Sequence, residues 1–288
     1  MVGIAHDSKS YNLGGVKVGL GNYAFKGCSG LTSVNIPKGI PYLLTVFPGC
    51  SGLTSIYIPD NIRSIGYRAF EGCTGLQSIT IPNNVKEIGQ EAFYNCSKLK
   101  DILIPASALV WSSSFGGKCI KNRRIISFSK SQHLPESFNE TDTIYVLPQD
   151  MEEIKTLWAN YNSPIIPLAE KSSYDLQIGD SIELTLPNKL LCIESGDTDV
   201  VQVSSEDGMH YIVKAVGAGS TTLNYKAVQT DEVMATLEVK VGISSGINDI
   251  IEGKITNDAI YDLGGIKIPN KKMKSGVYII NGKKVIVN

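Results

Sequence analysis

The sequence predicts a mostly β chain: a solenoid with a parallel sheet comes first, a small β-sandwich second and a short β tail last. Three observations carry that prediction. Cysteines at positions 28, 50, 73, 96 and 119 recur at a nearly constant interval, and self-similarity at such a period marks a repeat architecture. After residue 168 the period is gone, and short β-rich runs separated by turn signals take over. Near the end, two alternating runs meet at Asn281-Gly282, the strongest short hairpin signal, because both central residues of that turn need positive φ.

The repeat comes first along the chain. Phe25, Phe47, Phe70, Phe93 and Phe115 precede the cysteines, Leu31, Leu53, Leu76 and Leu99 follow them, and Ile36-Pro37, Ile58-Pro59, Ile81-Pro82 and Ile104-Pro105 close the units. The shared pattern is A-F-x-G-C-x-x-L-x-S-I-x-I-P-x-x-I-x-x-I-G, clearest from Ile65 to Ile88 and from Ile88 to Pro105. In Leu76-Gln77-Ser78-Ile79-Thr80-Ile81 the apolar residues end in strict alternation, which predicts a strand with one buried face. The proline that follows cannot donate to a sheet ladder and ends the strand. Ala-Phe-x-Gly-Cys is expected as a turn on the opposite side, with Phe and Cys pointing inward. One unit alone buries too little apolar surface to offset its ordering entropy, so the units must stack and pair their strands.

Stacking also decides the fate of the cysteines. In-register residues of adjacent turns sit about 4.8 Å apart with parallel Cβ vectors, a poor geometry for disulfides. No C-x-x-C spacing or neighbouring histidine favours zinc. Free, buried thiols are expected.

Ile-Gly-x-x-Ala-Phe-x-x-Cys-x-x-Leu-x-x-Ile-x-Ile-Pro at 65 to 82 resembles the BspA-type leucine-rich repeats of bacterial cell-surface proteins, and the likeness covers roughly residues 19–168. Two units depart from it: 39–45 lacks the Ile-Gly pair, and Cys119 lies one residue late after Phe115. The resemblance implies a right-handed leucine-rich-repeat solenoid, placement at a cell surface or secretion, and adhesion.

Regular repeats are expected over about 19–118, and a cap over 119–168, within a unit spanning 1–168. Ile125-Ile126-Ser127-Phe128 and Thr143-Ile144-Tyr145-Val146-Leu147-Pro148 read as two last strands. A helix follows, with Gln149 or Asp150 as cap, Glu152 and Glu153 at its positive end, and Met151, Ile154, Leu157 and Trp158 on one face. Such a helix would close the solenoid and shield its apolar end. Ile144-Tyr145-Val146, Trp158 and Ile166-Pro167-Leu168 are similar to the way that family commonly ends.

Residues 169–242 contain Ser181–Leu186, Val200–Val203, Tyr211–Val216 and Ala235–Val241, a density of short strands that fits a small β-sandwich. Leu176–Asp180, Asp199–Val203 and Val216–Leu223 resemble group 2 bacterial immunoglobulin-like domains, which implies a surface spacer or adhesive module. Cys192 has no second cysteine there, so a disulfide of the antibody type is excluded. In residues 243–288, Val277–Val287 and Ile260–Gly265 resemble the type IX sorting tails of secreted Bacteroidetes proteins; a β appendage without a sorting role is the alternative. Tyr11–Val18 echoes Tyr261–Ile268, for which the residues offer no physical account.

Composition narrows the function classes. Twenty-seven Lys plus Arg against 28 Asp plus Glu leave a net charge of -1, so no field draws the chain to nucleic acid or anionic lipid. No apolar run approaches the ~20 residues of a membrane span, and Met1–Asp7 lacks the basic and apolar regions of a signal peptide. His6, His133 and His210 lie in three regions, and no G-x-S-x-G elbow or phosphate loop occurs. Asp60, Glu71, Glu87, Glu91 and Asp101 fall at different repeat positions and are not expected to pair. The expectation is a non-enzyme without catalytic, metal or cofactor residues.

What the solenoid offers is a surface. If Leu31, Val34 and Ile36 and their equivalents point inward, a polar strip points outward: Ser33 and Asn35, Ser55 and Tyr57, Ser78 and Thr80, Asp101 and Leu103. Such a strip suits a protein or a glycan. The expected molecule is a monomeric surface or secreted protein adhering to host or matrix proteins, the alternatives being glycan capture for nutrient uptake or a passive stalk.

Overall fold

The computed structural model describes residues 20–242 and the backbone of four tail strands. Met1–Asp7, His6 and the Tyr11–Val18 echo lie outside the described residues. The solenoid has two parallel ladders rather than one. At the Ile-Gly end of each repeat, β1 (Tyr42–Leu43), β2 (Ser64–Ile65), β4 (Glu87–Ile88) and β6 (Leu109–Val110) pair in register. At the Ile-x-Ile-Pro end, β3 (Ser78–Thr80), β5 (Asp101–Ile104), β7 (Arg124–Ser127), β8 (Thr143–Val146) and β9 (Ile165–Pro167) form the larger sheet. Its register stacks Ile79, Ile102, Ile125, Ile144 and Ile165 inward, and Thr80, Leu103, Ile126, Tyr145 and Ile166 outward.

The Ala-Phe-x-Gly corner makes a third line of inter-turn bonds, among them Phe47 N to Ala69 O at 2.8 Å and Phe70 N to Ala92 O at 2.7 Å. This corner requires a left-handed residue two after each Phe, which Gly27, Gly49, Gly72 and Gly117 supply, with Asn95 in the fourth copy. The phenylalanines stack face to face: from Phe25 through Phe47, Phe70, Phe93 and Phe115 to Phe138, neighbouring centroids lie 5.0 to 5.4 Å apart. Phe138 stands one repeat length after Phe115, so the aromatic column runs on into the stretch read from sequence as a cap.

All six cysteines are free, but they are not equally buried. Cys50, Cys73 and Cys96 lie in the core, and each thiol donates to the carbonyl of the Phe one turn earlier, at 3.0, 3.2 and 3.2 Å. Cys28 is exposed, while Cys119 and Cys192 are half-buried. Cys119, one residue late, turns back to Phe115 O and Gly116 O of its own repeat. At the next position of the column stands Asp142 instead of a cysteine.

The short helix α1 (Met151–Leu157) buries Ile154, and Trp158 just beyond its end is 1% exposed, both in the same core as the phenylalanine stack. Trp158 Nε1 donates to Ser131 O at 3.1 Å. Two expectations need correction. Leu157 is exposed, because Trp158 fills the inward position, and neither Gln149 nor Asp150 caps the helix with a side chain. The Asp150 carboxylate instead pairs with Lys130 Nζ at 2.8 Å.

Seven further strands follow: β10 (Ser173–Gln177), β11 (Ser181–Thr185), β12 (Leu191–Ser195), β13 (Val201–Ser204), β14 (His210–Ala215), β15 (Gly219–Ala227) and β16 (Val233–Gly242). They form two sheets, β10-β16-β15-β12 and β11-β14-β13, antiparallel except where β10 runs parallel to β16. Alternation buries Tyr211, Val213 and Ala215 from one sheet, and Leu191, Ile193, Tyr225 and Val239 from the other. This core is continuous with Leu103, Ile126, Phe128 and Leu147 of the solenoid. The second unit therefore sits on the outer face of the larger parallel sheet.

In the tail, β17 (Ile260–Asp262), β18 (Lys267–Ile268), β19 (Gly276–Ile280) and β20 (Lys283–Val287) make one antiparallel sheet in the order β18-β17-β19-β20. Ile280 pairs with Lys283, so the two strands expected on either side of Asn281-Gly282 are neighbours, while the turn residues themselves lie outside the described residues. No helix among the described residues is long and apolar enough to cross a membrane.

Candidate functional site

The outward strip divides in two. Ser33, Asn35, Ser55 and Tyr57 are exposed, although the second unit reaches the turn of Ser55 and Tyr57 at Ile56 O, and the Tyr57 ring is the large side chain among them, 45% exposed. Ser78 is half-buried, Thr80 is 1% exposed and Leu103 fully buried. Thr80, Asp101 and Leu103 are thus not part of an open face, which corrects the expectation from alternation alone. The second unit packs on Leu103, and Asp101 helps to hold it there.

Asp101 takes two hydrogen bonds from Arg124, Nε to Oδ1 at 2.7 Å and Nη2 to Oδ2 at 2.8 Å. That pairing aims Arg124 Nη1 at Pro187 O of the second unit, 2.9 Å away. At the other margin the β15–β16 turn reaches the repeats: Asn83 N donates to Glu232 Oε2 at 3.1 Å, Asn83 Nδ2 to Val233 O at 3.0 Å, and Gln229 Nε2 to Ile56 O at 3.0 Å. Between these margins lies a cleft of about 280 Å³, lined by Ser55, Ser78 and Thr80 below and by Lys189, Val228 and Gln229 above.

A larger hollow of about 590 Å³ opens on the second unit beside Glu183, Glu206, Asp207 and His210. Of its acidic side chains, Asp207 is engaged locally. The Asp207 carboxylate accepts from the backbone N–H of His210 and of Met209, at 2.7 and 2.8 Å, and contacts the His210 ring. The His210 backbone bond, then its ring, then the Met209 bond hold Asp207 well below the usual carboxylate range. His133 likewise pairs locally, with Glu136 at 3.4 Å. Among the described residues no three His, Cys, Asp or Glu side chains gather to hold a metal ion.

One cluster escaped the sequence reading. Arg123 and Asp142, 1% and 0% exposed, form a buried ion pair with Nη2 to Oδ2 at 2.7 Å. Arg123 also donates to Phe115 O at 2.7 Å and lies over the Phe138 ring, while Asp142 accepts from the backbone N–H of Arg123 and of Asn139. The network is satisfied internally and closes the Phe–Cys column. The only signal was positional, an acid one repeat length after Cys119.

Residues 18–145 match the family described as BspA type leucine rich repeat region, in 6 copies. Among solved structures, the chain is similar to the pneumococcal vaccine antigen PcpA, with 24% identity and a TM-score of 0.44 over 52% of this chain and 38% of that one. It is also similar to the T. pallidum leucine-rich-repeat protein TpLRR, with 21% identity and a TM-score of 0.38 over 52% of this chain and 66% of that one. A leucine-rich-repeat protein of Bacteroides ovatus ATCC 8483 shares 21% identity with a TM-score of 0.28, over 52% and 55% of the two chains. The matched part thus spans 38% of PcpA's chain. No curated protein matches the sequence.

Proposed function

From a region of six BspA-type leucine-rich repeats, we propose that the chain is a non-catalytic binding protein of a bacterial surface or secretome, and that it holds a host or matrix protein on the open outer face of its early repeats. Ser33, Asn35, Ser55 and Tyr57 form the contact. The observation that carries this reading is the exposed Tyr57 ring standing among small polar side chains on the outer face of the early repeats, over the core that holds the phenylalanine stack. An exposed tyrosine offers apolar area and a hydroxyl on a side chain with only two rotatable bonds, the profile of an interface anchor. Residues 169–242 act as an immunoglobulin-like spacer, and the tail as a sorting element of a Bacteroidetes-type secretion route. The protein works as a monomer.

The test is surface plasmon resonance of the full chain against a panel of fibronectin, fibrinogen, laminin and collagen. At least one should bind, and Tyr57→Ala with Asn35→Ala should weaken it tenfold or more. A bound protein indifferent to the double variant removes the strip as the site; a panel without a binder removes matrix adhesion.

A further inference from the structure

Apart from Ser55 at its edge, the cleft between the solenoid and the second unit lies outside the proposed protein contact. Its floor is made of hydroxyls. Ser55 and Ser78 occupy the same column on adjacent turns, about 4.8 Å apart, while Ser78 and Thr80 point the same way two residues apart on one strand, about 6.6 Å. Thr80 is 1% exposed, yet its Oγ1 makes no hydrogen bond within the protein. Ser114 and Ser129, buried as deeply in the solenoid, donate to Gly89 O and Ala108 O, and the other unpaired buried hydroxyls, of Tyr225 and Thr230, do not line this cleft. A buried hydroxyl left unpaired is uncommon and marks a place where a partner is expected.

The roof complements this floor. Lys189 is exposed at the rim and forms no ion pair among the described residues. Gln229 spends Nε2 on Ile56 O and keeps its carbonyl oxygen as an acceptor. Val228 and Leu190 supply apolar wall. Three hydroxyls, an amide oxygen, one ammonium and an apolar wall in about 280 Å³ are the inventory for a single sugar ring. Each sugar hydroxyl both donates and accepts, so it can serve Ser, Thr and Gln partners at once, while the C–H edges of the ring lie on Val228 and Leu190. A phosphate-rich ligand would need more than one cation.

We propose that this cleft binds one acidic pyranose residue, a uronic acid, with its hydroxyls on Ser55, Ser78 and Thr80 and its carboxylate toward Lys189. The ligand would touch both units, so it would also clamp the second unit to the solenoid and raise the melting temperature.

Isothermal titration of the full chain with galacturonate and with galactose tests this, followed by saturation-transfer NMR. Galacturonate should bind at least about tenfold more tightly than galactose, the range of a charge-assisted hydrogen bond. Thr80→Val, which keeps the side-chain shape, should weaken both sugars about three- to tenfold with the circular dichroism unchanged. Lys189→Gln should abolish the preference for galacturonate, and Asn35→Ala on the open strip should leave sugar binding intact. Absence of binding by either sugar at millimolar concentration, or affinities that Thr80→Val and Lys189→Gln do not change, would overturn the proposal.

Discussion

The buried cysteines differ from simple apolar filler in one respect: each thiol hydrogen is donated to a phenylalanine carbonyl of the preceding turn. Burial pushes Cys50 up to about 11 and Cys73 up to about 12, from an ordinary 9.0, and Cys96 higher than its ordinary value as well. Above pH 9 the unfolded chain gives up these protons while the folded chain keeps them. Stability is therefore complete below pH 9 and falls as pH rises toward 12. Urea midpoints should be level from pH 7 to 8.5 and decline above 9, and Cys73→Val should flatten part of that decline; a variant curve parallel to the wild type contradicts it. In native protein at pH 8, iodoacetamide should modify Cys28 rapidly and spare Cys50, Cys73 and Cys96, with six thiols reacting after denaturation. The column was legible because cysteine marks it five times. Its closure was not, because Asp142 replaces the cysteine and Arg123 reads as a surface cation until the fold turns it inward. Arg123→Met strands a buried carboxylate and should cost about 3–5 kcal/mol, and adding Asp142→Leu should recover much of it. Chemical denaturation of the two variants checks both statements.

At the scale of elements, each repeat is held by two short ladders and an aromatic corner, so its stability rests on contacts to the turns above and below. Phe93 lies between Phe70 and Phe115, whereas Phe25 is half-buried at the end of the stack. Phe93→Ala should therefore cost about 3–5 kcal/mol and Phe25→Ala clearly less, read from urea denaturation; equal losses would mean that the stack does not act through its neighbours. The large-sheet strands were legible from Leu-x-Ser-Ile-x-Ile-Pro, where alternation and proline fix both face and end. The ladder β1-β2-β4-β6 was not, since two-residue strands leave no period to detect. Nor was the second left-handed position, occupied by Tyr23, Thr45, Arg68, Glu91 and Ser113. Five different side chains at one strained backbone position carry no compositional mark, because stacked backbone bonds, not residue type, impose the conformation there.

The whole molecule turns on a change of face that the sequence already contains. Outward positions run from Ser33 and Asn35 through Ser55 and Tyr57 to Leu103, Ile126 and Phe128, so the strip becomes apolar along the axis. The apolar runs Ile102-Leu103-Ile104 and Ile125-Ile126 break strict alternation, the mark of strands buried on both faces. A polar strip inferred by repeating the first units missed this, and with it the cover that hides Thr80 and Leu103. The docked unit also explains why Asp101 serves the architecture: its pairing with Arg124 presents a donor to Pro187. Ile126→Asp places a charge in that apolar seam, where an unpaired carboxylate costs several kcal/mol, but on the side of the sheet that faces away from the phenylalanine stack. The second unit should swing free while the repeats stay folded. Small-angle scattering should then show a larger radius of gyration, and proteases should cut between residues 168 and 173, with the far-ultraviolet dichroism of the repeats retained. An unchanged radius, or loss of the repeats together with the dock, would show that the two units are not held by this seam. Uronate binding would be lost in the same variant, since only the closed arrangement brings Lys189 over Thr80.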